Sequence, residues 1–323
     1  MPSEFRLRRS LLMTPANRSE RLSRALQCAA DVFVFDLEDG VPPEQKAQAR
    51  LNAADALKTL DFNGRERCVR INGLDTPDAA LDLAALPLDR IDSIMVPKAE
   101  DPGVVRALVA HLDRLCEAAD ASSSSSVDHT NPGSPLRTRP IELIVMLETP
   151  RGIFNALAVA DATPRTTALF FGSGDYTSAT GSVITADTLQ FPRAVVTAAA
   201  AAAHIQAIDA AYFIAVKDAE ATRADAVIAR SFGFSGKVVF HPAQVDVANE
   251  IFSPTADEIA RATMIVEGYE RARSEGHGTS VTNNIFIAVD LVPPAIRLLS
   301  LARQISRNDR KVTPPVTHAL RPS

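Results

Sequence analysis

Short, almost unbroken apolar runs alternate with longer stretches of mixed polarity along most of the chain. In 31-DVFVFDLED-39, Val and Phe fill consecutive positions with no polar alternate, the pattern of a strand buried on both faces. Comparable runs at Leu7–Met13, 67-RCVRIN-72, 91-IDSIMVPK-98, 141-IELIVMLE-148, 167-TALFFGSGD-175, 205-IQAIDAAYF-213 and 237-KVVFH-241 bring the expected strands to eight. The intervening segments 43–60, 101–120, the Ala-rich 187–204 and 218–231 read as helices. Eight strand–helix alternations predict an α/β chain folded as a (β/α)8 TIM barrel over residues 1–252. After Pro242 the pattern turns helical, at 255–274 and again around 290–306. The Gly/Ser/Thr-rich 276-GHGTSVTNN-284 between these helices reads as a hinge or lid, so 253–323 is expected to be a C-terminal helical extension. The serine-rich 121–140 reads as a surface loop, and 308–323 as disordered or loosely draped.

Composition narrows the classes. The chain has 323 residues, 46% hydrophobic and 23% charged, an ordinary globular balance with room for one barrel and an appendage. A net charge of −5 without a basic tract argues against nucleic acid. No apolar run approaches the ~18–20 residues needed to cross a bilayer, and no signal-like apolar core follows Met1–Arg9. Cys28, Cys68 and Cys116 lack metal or disulfide spacing and read as small buried hydrophobes in a reducing, cytoplasmic setting.

Nearly every strand ends on a residue able to do chemistry: Asp36, Glu38 and Asp39, Arg70, Lys98, Glu148, Asp175, Asp209 and His241. In a (β/α)8 barrel these ends converge on the face where active sites are built. Some are expected to be helix N-caps instead, namely Asp36 and Asp218, with Asp209 balanced between the two roles. Glu148 and Asp175 follow adjacent strands, so their carboxylates are expected to lie close, a geometry that calls for a cation or a shared proton. Oxygen ligands without His or Cys point to Mg²⁺; the competing reading is structural ion pairing with arginines such as Arg151. Arg70, in an apolar setting, suits capture of a carboxylate or enolate oxygen, or pairing with Glu38 or Asp39, or both. Lys98 either adds positive potential or orders the acidic cluster, and His241 before Pro242 reads as structural more readily than as a base. The segment 172-GSGDYTSATG-181 follows a late strand and lacks the dinucleotide spacing; its glycines are expected to let the backbone approach substrate.

Taken together, 8-RRSLLMTPANRSER-21, 36-DLEDGVPPEQKAQAR-50, 68-CVRIN-72, 96-VPKAE-100, 147-LETPRG-152, 172-GSGDYTSATG-181 and 233-GFSGKVVFHPAQ-244 resemble the citrate lyase β-subunit family of the HpcH/HpaI aldolase superfamily, from about Arg8 to Ala302. The resemblance implies a homotrimeric, Mg²⁺-dependent carbon–carbon lyase acting on a 3-hydroxyacyl thioester such as citryl-, citramalyl- or malyl-thioester. It places Glu148 and Asp175 as metal ligands, Arg70 as substrate-binding and catalytic, and Asp290 as the acid–base group on a lid that reaches a neighbouring subunit. Phe240 and His241 match a segment contacting the thioester carrier, Arg18 and Arg24 are candidates for its phosphates, and Asp39 and Lys98 stand behind the site. Met13 and Glu20 depart from coenzyme A-using relatives, which leaves coenzyme A and an acyl carrier protein both open. The alternatives are a metal-dependent aldolase on free 2-oxo acids and a non-catalytic carrier-binding subunit.

Overall fold

The computed structural model describes residues 6–124, 139–210, 215–283 and 285–312. Eight parallel strands follow one another around a closed barrel: β1 (Ser10–Pro15), β2 (Val32–Asp36), β3 (Glu66–Arg70), β4 (Ser93–Val96), β5 (Glu142–Leu147), β6 (Thr166–Phe171), β7 (Gln206–Asp209) and β8 (Gly236–Val239). Leu11 of β1 pairs with Val32 on one side and Val238 on the other, which closes the ring. This is the predicted TIM barrel.

Side chains sort by strand parity. Leu11, Met13, Val32, Val34, Cys68, Met95, Ile144, Met146, Ala168, Phe170, Ile208, Ala210 and Val238 form one buried cluster drawn from all eight strands, and it fills the barrel interior. The alternate positions, such as Phe33, Phe35, Val69, Leu169 and Phe171, join a second core against the surrounding helices. Both strand faces are therefore buried, as parallel sheets require. At the N-terminal strand ends a fully buried Arg8 donates from Nε to Glu66 Oε2 at 2.9 Å and from Nη2 to Glu142 Oε2 at 2.6 Å, stoppering that mouth with paired charge.

The helices are where the sequence pattern set them, with shifted ends: Lys46–Thr59, Pro102–Ser124, Gln190–Ala202 and Ala219–Phe232. The first four residues of the expected loop, 121–124, instead continue the helix from Pro102; Ala and Ser extend a helix at little cost. Residues 125–138 lie outside the described residues, as do 211–214, which include the last three residues of the expected seventh strand.

The chain divides into two compact units, Met1–Phe252 and Ser253–Ser323. In the second, helix Ala256–Ser274 starts at a reciprocal cap: Thr255 Oγ1 accepts from Glu258 N at 3.2 Å and Glu258 Oε2 accepts from Thr255 N at 2.8 Å. The expected hinge is partly ordered as a hairpin, with β9 (Ser280–Thr282) antiparallel to β10 (Ile285–Ile287). Val281 and Ile285 supply β-branched positions there, and Ile287 is buried with Ala262, Ile265 and Ala295. The final helix runs Val292–Val312, beyond the end expected from sequence, so 308–312 are helical; 313–323 lie outside the described residues.

Candidate active site

The inward parity of the strands continues past their C-terminal ends and selects which polar residues reach the barrel mouth. Arg70 lies two residues beyond inward-facing Cys68, Glu148 two beyond Met146, and Gly172 two beyond Phe170. These residues, with Met13, Asp175 and Phe240, line a cavity of about 300 Å³ floored by apolar side chains of the interior cluster. That is the lower end of ordinary small-ligand pockets.

Glu148 is almost completely buried. Among the described residues its carboxylate takes one hydrogen bond, from the Lys98 main-chain N–H to Oε1 at 2.8 Å. Burial, then the charges of Asp175 and Glu38, push its pKa up to about 8, against the pull of the Lys98 N–H and of Arg70. Asp175 sits in the first turn of helix Ser173–Thr180, half-buried on the same cavity. Gly172 makes the close approach feasible: a Cβ there would stand 2.6 Å from Glu148 Cβ and 2.7 Å from Oε2. The arginine alternative for the pair is not realised, because Arg151 lies 3.7 Å from Glu100. Two carboxylates facing a cavity, one of them desolvated and short of donors, fit a hard divalent cation that completes its shell with water and ligand oxygens. No group of three or more His, Cys, Asp or Glu able to hold a metal occurs among the described residues, so protein ligation would rest on this pair.

Arg70 is clamped from below. Its Nε and Nη2 donate to Asp36 Oδ1 and Oδ2 at 2.6 and 2.7 Å, and Nη1 stands 2.9 Å from Glu38 Oε2. Burial lowers its pKa, but Asp36, Glu38 and Glu148 more than offset this and hold it above the ordinary arginine value. Hydrogen bonds to Asp36 engage two of the five guanidinium N–H groups, and the Glu38 contact is an ion pair without a hydrogen bond, so donors remain for the cavity that Arg70 lines. Asp36 is therefore not the expected helix N-cap; its carboxylate also accepts from Glu38 N and Gly40 N, tying the loop after β2 to Arg70. Asp39 pairs with Lys98 rather than Arg70, Lys98 Nζ reaching Glu38 Oε1 at 2.7 Å and Asp39 Oδ2 at 3.1 Å.

The remaining candidates separate cleanly. Asp218 is an N-cap as expected, accepting from Ala221 N at 3.0 Å. Asp209 is neither cap nor cavity residue; its outward parity buries it against Arg193 and Lys237 in a network completed by Asp225. His241 also has outward parity and caps the turn Pro242–Gln244, its Nδ1 accepting from Ala243 N at 3.1 Å. Phe240 lines the cavity. Arg18, at the N-terminus of the short helix Ser19–Ala25, and Arg24, in its last turn, are exposed and do not line the cavity. Asp290 is exposed in a turn of the second unit. Cys28 and Cys116 are half-buried, and only Cys68 is fully buried. Sequence reading missed the Asp36–Arg70 clamp, which depends on the register between neighbouring strands, and the cavity-lining roles of Met146, Phe170 and Ala210, which an i+2 count from one inward residue per strand would have found.

No helix among the described residues is long and apolar enough to cross a membrane. The family model for HpcH/HpaI aldolase/citrate lyase matches residues 9–242, the span that carries the barrel and its polar mouth. Among characterised proteins, a (3S)-malyl-CoA thioesterase of Cereibacter sphaeroides is 32% identical, over 92% of this chain and 95% of its own length. An L-malyl-CoA/beta-methylmalyl-CoA lyase of the same species is also 32% identical, over 94% of this chain and 98% of its own. Among solved structures, CitE of Mycobacterium tuberculosis in complex with magnesium, acetoacetate and coenzyme A superposes with a TM-score of 0.68 at 29% identity, covering 91% of this chain and 97% of that one. A barrel with this mouth, matched by that model and by relatives along nearly its whole length, places the chain in the HpcH/HpaI aldolase/citrate lyase family.

Proposed function

We propose that this protein is a Mg²⁺-dependent carbon–carbon lyase that cleaves, or in reverse forms, a 3-hydroxyacyl thioester of coenzyme A or an acyl carrier protein. The observation that carries the reading is the buried Glu148 carboxyl, raised to about 8 beside Asp175 on a cavity that Arg70 also lines. Glu148 and Asp175 would hold the Mg²⁺, which when bound supplies Lewis-acid polarisation of the acid portion's oxygens. Arg70 offers N–H donors not taken by Asp36 to the thioester enolate oxygen that gains charge as the carbon–carbon bond breaks. The Asp36–Glu38 clamp fixes the guanidinium plane beforehand, so little orientation is lost in the transition state. Met146, Phe170 and Ala210 keep water off the apolar side of the cavity. Asp290 is assigned the proton transfer to the enolate carbon, or from it in the condensing direction, across a subunit boundary of a homotrimer.

Incubation with malyl-, citramalyl- and citryl-CoA in Mg²⁺ tests the reading. Cleavage yields acetyl-CoA and a 2-oxo acid in equal amounts, with no free coenzyme A. A second reading, thioester hydrolysis, is favoured by the relative that is a malyl-CoA thioesterase; it releases free coenzyme A and the intact hydroxy acid instead. Turnover of free 4-hydroxy-2-oxo acids in preference to all three thioesters would overturn both.

A further inference from the structure

We infer that Lys98 is a positioning residue for Glu148 and that it acts through its main chain, not its ammonium. The inference rests on the reading of Glu148 as a metal ligand. β4 ends at Val96 and is followed by Pro97, which has no N–H to extend a ladder. Lys98 then adopts φ of +50°, the left-handed region. The other non-glycine residues with positive φ among those described are Asn63, His204 and Asn283, types that enter this region more readily than lysine. A long side chain is held there against its backbone preference, and the turn so made aims the Lys98 N–H at Glu148 Oε1, 2.8 Å away.

That bond matters because, apart from the charge of Arg70, little else holds the carboxylate. It is the sole hydrogen bond Glu148 takes among the described residues, while Asp175 and Glu38 repel it. Gly172 leaves room beside Oε2, which lies 2.7 Å from where a Cβ would stand. With Oε1 taken by the Lys98 N–H, Oε2 is the oxygen left for a cation. The Lys98 ammonium is occupied elsewhere, on Glu38 and Asp39.

The test uses Lys98→Gly, Lys98→Ala and Lys98→Val in the full chain. All three lack the ammonium and keep the N–H; they differ in how readily they hold a positive φ, Gly freely, Ala with difficulty and Val least. Binding of Mn²⁺, a paramagnetic stand-in for Mg²⁺, is read by electron paramagnetic resonance, with thermal melting recorded alongside. Lys98→Gly is expected to bind most tightly, Lys98→Ala several-fold more weakly, and Lys98→Val at least tenfold more weakly than Lys98→Gly. If Lys98→Val does not fold, the Gly–Ala comparison decides. Equal affinity across the series in protein that binds Mn²⁺ as wild type overturns the assignment and leaves the metal reading standing. A wild type that takes up no Mn²⁺ overturns the metal reading and, with it, this assignment.

Discussion

Substituting Gly172 by alanine tests the packing beneath the carboxylate pair. The added Cβ would lie 2.6 Å from Glu148 Cβ, where ordinary contact begins at 3.4 Å, so the two must separate by 3.4 − 2.6 = 0.8 Å. Gly172 has φ of −92° and ψ of 92°, which alanine accepts, so any cost is steric rather than conformational. Both neighbours end interior strands and cannot tilt away freely, and overpacking of this kind costs roughly 1–3 kcal/mol. For a unit of 252 residues, at about 2–4 °C per kcal/mol, the melting temperature should fall by ~2–12 °C. The functional effect should be larger, because a displacement near 1 Å at a ligating carboxylate costs on the order of 10²-fold in rate. Differential scanning fluorimetry and Mg²⁺-dependent thioester cleavage are the assays. Gly278→Ala, with nothing within 4 Å of its Cβ, is the control and should change neither. A Gly172→Ala protein with wild-type melting temperature and wild-type turnover would refute the claim that this glycine sets the position of Glu148.

Four further outcomes are expected. The folded Glu148 carboxyl titrates near 8 against an ordinary 4.5, so metal-free protein keeps a proton that the unfolded chain has lost; stability should be greatest at low pH within this window and fall as pH rises towards 8. Urea midpoints at several pH values in EDTA should show that slope in the wild type and lose it in Glu148→Gln; parallel slopes would contradict it. Asp290→Asn should slow turnover by ~10²–10⁴ with Mn²⁺ binding intact, and full activity would remove Asp290 from the mechanism. Mixing inactive Asp290→Asn with inactive Glu148→Gln should restore part of the activity if the two residues serve one site from different subunits, and no recovery argues against that sharing. Asp209→Asn should cost about 3–5 kcal/mol, since it leaves Lys237 and Arg193 buried with less counter-charge, while the folded protein keeps its Mn²⁺ affinity; a loss of affinity would return Asp209 to the site.

The order of elements was legible because it depends on local pattern. Runs such as 31-DVFVFDLED-39 bounded by helical stretches specify buried parallel strands, and eight of them in alternation leave little besides the closed barrel. The polar residues at the strand ends were equally visible, and so were the motif resemblance and the two carboxylates that now share one cavity. Which of those polar ends faces the mouth was not visible. A strand apolar on both faces carries no alternation, so Asp209 and Glu148 look alike in sequence. Parity in the closed ring turned Glu148 and Arg70 inward and sent Asp209 and His241 outward. Partners distant in the chain were hidden for the same reason. Asp36 clamping Arg70 across neighbouring strands, or Lys98 offering its N–H to Glu148, exists only once the barrel closes, because each bond is fixed by register rather than by the residues' own preferences.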